Sequence, residues 1–99
     1  MRFLPTMIAT SVAATTPAFA SSPGAWDAFR QEVAAACIAA AAPLIENAEA
    51  DVDPFGSESY GLALVHGKAK GGGGEIRLIC VFDKKTKAVE LGGELPAAQ

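Results

Sequence analysis

The stretch Ile76-Arg77-Leu78-Ile79-Cys80-Val81-Phe82 is the most strand-like in the chain, and its reading decides the fold. Ile76, Leu78, Cys80 and Phe82 alternate with Arg77, Ile79 and Val81, the period of two that a β-strand imposes on its side chains. One face of this strand carries Cys80, and the only other cysteine is Cys37. Cys37 lies within residues 26–44, where Trp26, Phe29, Val33, Cys37, Ala40 and Leu44 recur at spacings of three and four. Those spacings mark one face of a helix. The intervening alanines have the highest intrinsic helix propensity. Ser22 offers a cap, Pro23 a first-turn proline and Asp27 a charge suited to the positive end of the helix dipole. Each cysteine thus sits on the apolar side of its own element. A helix laid across a sheet brings the two together, and the pattern predicts a Cys37–Cys80 disulfide.

Working outward from this strand gives the rest of the sheet. Tyr60, Leu62, Leu64 and His66 alternate with Gly61, Ala63, Val65 and Gly67, which predicts a strand ending near Ala69. Gly71-Gly72-Gly73-Gly74 then reads as a hairpin loop. It is no phosphate cradle, because neither a Lys-Ser/Thr pair nor a helix start follows it. Asp83-Lys84-Lys85-Thr86 forms a second turn into a third strand over residues 87–91, closed by Gly92-Gly93. Pro43 ends or kinks the helix and is compatible with a second short helical segment over residues 44–50. Asp53-Pro54-Phe55-Gly56 has the residue order of a type I turn. The expected fold is α+β: one main N-terminal helix on a three-stranded antiparallel meander, stapled by the disulfide.

The N-terminus sets the compartment. Arg2, an apolar stretch over residues 3–14 and Ala18-Phe19-Ala20 follow the plan of a secretory signal peptide, residues 1–20. The stretch is too short and too often interrupted to span a bilayer. No cysteine follows the expected cut to carry a lipid, so no membrane insertion is expected after cleavage. Residues 21–99 form one small domain, of a size that sits near the limit of stability from a core alone. An oxidising periplasmic or secreted location suits the disulfide. Closing a loop of this length stabilises the fold by about 4 kcal/mol in the chain-entropy model.

Composition excludes some functions. The expected mature part carries seven Lys/Arg against eleven Asp/Glu, a net charge of −4. That argues against nucleic acid, whose binding rests on phosphate neutralisation. The acidic front half and mildly basic back half are expected to attract one another within the fold.

The candidate constellations are thin. Asp51, Asp53, Gly56 and Glu58 invite a calcium reading, but an EF-hand counted from Asp51 has Phe55 and Leu62 where ligands are needed. His66 is the only histidine, without the clustering that zinc favours. As a general base it needs a nucleophile close by, and Ser57 and Ser59 lie at the far end of its strand. No metal, cofactor or catalytic residue is therefore expected. Lys68 and Lys70 flank one hairpin while Lys84, Lys85 and Lys87 flank the other, too far apart for a polyanion patch.

The central strand is apolar on both faces, and one helix covers only one. Ile79 and Val81 point away from the helix in this reading, with Ala63 and Val65 assigned beside them. Val65, Ile79 and Val81 are the candidate partner-binding residues, for another protein or for a second copy in a homodimer. The expected function is a non-catalytic periplasmic interaction or modulator module. The alternative is a small enzyme with a site around His66 and Tyr60. A thiol redox role is disfavoured, since a cysteine on an apolar helix face paired with one in a central strand is inert.

Three segments, residues 52–61, 79–85 and 89–95, resemble a group of short exported proteins from alphaproteobacteria. The likeness covers most of the expected mature domain, both cysteines included. It implies a Gram-negative periplasmic address. The group has no assigned activity and no established catalytic residues, so no residue roles are implied.

Overall fold

A computed structural model describes residues 22–96 of the chain. The expected signal peptide, residues 1–20, lies outside the described residues. Helix α1 runs over Pro23–Ala41, followed by strands β1 (Ile45–Val52), β2 (Tyr60–Ala69), β3 (Glu75–Asp83) and β4 (Val89–Glu94). The strands form one antiparallel sheet in the order β1-β2-β3-β4. Among the described residues the fold is α+β, with one helix on a four-stranded meander.

Local chemistry sets the ends of each element. Ser22 caps α1, its Oγ accepting from the Ala25 N–H at 3.3 Å, and Pro23 occupies the first turn, where a missing N–H costs nothing. At the other end Lys70 Nζ donates to the Ala42 carbonyl at 2.9 Å, a cation at the negative end of the helix dipole. The β2–β3 hairpin closes through Ala69 N–H to Gly74 O, with Gly71, Gly72 and Gly73 at positive φ. In the β3–β4 turn Asp83 Oδ1 accepts from the N–H groups of Lys85 and Thr86. Asp53 does the same for Phe55 and Gly56 before β2.

Val33, Cys37 and Ala41 of α1 meet Ile45, Ala63, Val65, Leu78, Cys80 and Phe82 in the buried core. The Cys37–Cys80 disulfide spans it, with 6.0 Å between the Cα atoms and both residues fully buried. The helix spacing of four residues and the strand spacing of two deliver the cysteines to one interface, as expected.

Two expectations are corrected. The sheet has four strands rather than three: Ile45–Val52 is a strand, not a helical segment after Pro43. Its Glu and Ala residues favour helix, but pairing with β2 overrides that preference. A bulge hides the alternation. The register shifts between Glu46 and Glu49, with Asn47 at φ 51°, so Ile45 points inward from an odd position while Ala48, Ala50 and Val52 pack inward from even ones.

Val65 is the second correction. It is fully buried on the helix side, not on the outer face. The hairpin register pairs Val65 with Leu78 and Ala63 with Cys80, and residues directly opposite in an antiparallel pair share a face. Ile79 and Val81 do lie on the outer side, but their β2 neighbours there are Leu64 and Leu62.

Candidate functional site

Small residues on the inner side of β2 explain why its large ones are outside. A Cβ on Gly61 would lie 2.6 Å from Val33 Cγ2 and 3.1 Å from Phe29 Cζ, so α1 approaches the β2 backbone too closely for a side chain there. Leu62 and Leu64 consequently project to the side that α1 does not cover. Across β1, β2 and β3 the outer rows are Asp51–Leu64–Ile79 and Glu49–His66–Arg77. Leu62–Val81–Glu90 forms a further row across β2, β3 and β4.

Four large apolar side chains, Leu62, Leu64, Ile79 and Val81, therefore form the centre of this face. Leu62, Leu64 and Val81 are half-buried by one another, whereas Ile79 remains 45% exposed. The β3–β4 register shifts between Leu78 and Cys80, beside Gly92 and Gly93. Gly92 lies against Ile79, where an added Cβ would come within 3.8 Å of the Ile79 Cβ. Glycine on β4 thus leaves Ile79 bare. On the β1 side, Leu62, Leu64 and Ile79 floor a shallow depression of about 490 Å³, edged by Asp51 and Asp53.

The electrostatics of this edge are acidic. Hydrogen bonds from the Gly56 N–H foremost, and then the Phe55 N–H, hold the Asp53 carboxyl below the usual carboxylate range, with Lys84 adding a smaller favourable field. Asp51 is largely exposed and has Oδ2 3.2 Å from His66 Nε2. Glu49 stands 4.0 Å from the same nitrogen, and Glu75 Oε1 lies 3.4 Å from His66 Nδ1. Asp51 and Glu49 share the Nε2 side of the ring, and Glu75 takes the Nδ1 side. Among the described residues no group of three His, Cys, Asp or Glu is arranged to hold a metal ion.

Tyr60 and His66 are not brought together. Both lie on the outer side of β2, but six residues of strand separate them by roughly 20 Å. Ser57 Oγ is engaged with the Tyr60 backbone, its N–H at 3.1 Å and its carbonyl at 3.4 Å. No hydroxyl or thiol is hydrogen-bonded to His66 among the described residues. Its near neighbours are the carboxylates of Asp51, Glu49 and Glu75.

The lysine groups separate as expected, to opposite ends of the sheet, yet their partners are mostly not carboxylates. Lys84 Nζ donates to the Phe55 and Ser57 carbonyls at 3.0 and 2.7 Å, and Lys87 pairs with Glu32 at 2.8 Å. Lys84 also lies 5.1 Å from the Phe29 ring centre and 5.6 Å from that of Trp26. With Phe55 packed edge-on against Trp26 at 4.9 Å, these contacts fasten the loop before β2 to the first turns of α1. A second groove, about 840 Å³, runs beside this cluster between α1 and the two loops.

Among the residues that form the outer centre, sequence reasoning identified Ile79 and Val81 and missed Leu62, Leu64, Asp51 and Gly92. The signal was present in β2, whose odd positions are Gly61, Ala63, Gly67 and Ala69, with Val65 the one larger residue among them. A strand packed tightly under a helix needs small residues on that side. No protein-family model matches the chain, and no curated protein or solved structure is significantly similar to it.

Proposed function

We propose that the protein is a non-catalytic interaction module of the periplasm or extracellular space, holding a protein partner on the outer face of its sheet. The observation that carries this reading is the uncovered apolar centre of Leu62, Leu64, Ile79 and Val81, with Ile79 left bare beside Gly92. A half-wet sheet face normally carries polar side chains in alternation. Here two adjacent strands instead carry four aliphatic ones. The buried disulfide and the resemblance to exported proteins support the compartment. Among the described residues no helix is long and apolar enough to cross a membrane.

Site-specific photo-cross-linking tests the reading in cells exporting the protein. A photoreactive residue replaces Ile79 in one variant and Lys85, an exposed turn residue, in another. A discrete adduct formed from position 79 and absent from position 85 is the expected result. Its mass distinguishes a second copy of the chain from another protein. Equal or absent adducts at both positions overturn the reading.

A further inference from the structure

We infer that the depression beside β1 receives an arginine side chain of the partner. The inference rests on the interaction reading above and deepens it. The floor is aliphatic, made by Leu62, Leu64 and Ile79, while the edge carries Asp51 and Asp53. A side chain suited to such a place has an apolar stem and a cationic head. Arginine suits it better than lysine, because its planar guanidinium lies flat on apolar surface and presents several donors to carboxylates at once.

Both carboxylates have capacity left. Asp53 Oδ1 already accepts two backbone N–H groups, and Asp51 Oδ2 faces His66. Asp53 Oδ2 and Asp51 Oδ1 have no partner among the described residues. The depressed pKa of Asp53 keeps its charge in place. Arg77, the nearest guanidinium on this face, donates instead to the Pro96 carbonyl.

A second copy of the chain is a poorer occupant. The face where all four strands pair covers on the order of 400 Å². A stable interface buries about 800 Å² on each partner, so any occupant also uses the surface around this centre, where the acidic edge selects its charge. Two copies face to face would also oppose their own acidic rims, in a chain whose net charge is already −3. A partner with a basic side chain amid apolar ones meets both the centre and the edge.

The experiment titrates the isotope-labelled protein with Nα-acetyl-arginine methylamide at low salt, following backbone amides by NMR. The isosteric citrulline compound, which lacks the charge, serves as control. Saturable shifts at Asp51, Leu62, Leu64 and Ile79 are expected with arginine, and at least fivefold weaker binding with citrulline. Asp51→Asn weakens arginine binding about threefold to fivefold, the scale of one partly exposed charge pair. Its unchanged spectrum elsewhere verifies folding. Equal responses to both compounds, shifts centred on other acidic positions such as Glu58 or Glu94, or an Asp51→Asn titration equal to wild type each overturn the inference. The titration decides the arginine seat, and the cross-link from position 79 decides the interaction reading beneath it.

Discussion

Gly61 and Val33 are in such close contact that a single added carbon on Gly61 would sit 2.6 Å from Val33 Cγ2. This approach brings α1 down onto β2 and pushes Leu62 and Leu64 to the other side of the sheet. Gly61→Ala is therefore expected to destabilise the protein by about 1–3 kcal/mol, the usual cost of overpacking a tight interface. Gly92→Ala has room, its nearest neighbour 3.5 Å away, and is expected to change stability by less than about 0.5 kcal/mol. Urea denaturation of the two variants checks the contrast. Equal midpoints would mean that α1 does not rest on β2 at Gly61.

Val65 and Ile79 provide a test of which way the strands face. Lysine at Val65, fully buried beside Leu78, places an unpaired charge in the core and is expected to abolish folding. Lysine at Ile79 is expected to leave the melting temperature nearly unchanged, since that side chain is 45% exposed. Thermal melts followed by circular dichroism separate the two. An Ile79→Lys protein that unfolds while Val65→Lys survives would mean the faces are exchanged.

The disulfide is expected to contribute about 2–5 kcal/mol, the range typical of small secreted domains. Replacing both cysteines, Cys37→Ala with Cys80→Ala, avoids leaving a free thiol in the core. The double variant should melt well below the wild type. Intact mass with and without reductant checks that the bond forms in protein from an oxidising compartment. Two free thiols there would refute it.

The turns before β2 and after β3 are expected to loosen in acid. Asp53 and Asp83 each accept two backbone N–H bonds, from Gly56 and Phe55 and from Thr86 and Lys85, and their carboxyls are held below the ordinary value of 3.8. A carboxyl lowered by folding contributes its stability above the unfolded value. That contribution fades as the pH falls through the folded one. Side-chain carboxyl shifts followed by NMR from pH 6 downward should show both titrating below 3.8. Loss of the Gly56 and Thr86 amide signals from their folded positions should follow the same transitions. Titration at or above 3.8 would show that the turns do not depend on these bonds.

Much of the fold is legible in the sequence where each element repeats its own period without interruption. The α1 spacing, the alternation in β3, the capping of Ser22 and Pro23, and the two Asp-led turns each specify themselves locally. The disulfide follows because two independent periods agree on where their cysteines point. β1 is not legible, because its bulge at Asn47 switches the inward side from odd to even positions and leaves Glu-Ala spacing that favours helix. The outer face is only half legible. Hydrophobic size argues for burying Leu62 and Leu64. What decides the matter is the nearness of α1, a tertiary fact expressed only as glycine at position 61 and alanine at position 63.

The Cys37–Cys80 bond also sets the path that tension takes through the molecule. A pull applied to the two ends of the chain travels from the start of α1 to Cys37, crosses the covalent bond, and leaves by way of Cys80 and β4. The 43-residue separation that the bond spans contains β1, β2 and β3 as far as Cys80, and this part bears no load. Under traction the front of the helix, the end of β3 beyond Cys80 and the last strand peel away. The strands that carry Leu62, Leu64, Ile79 and the acidic edge stay in register while the ends are stretched.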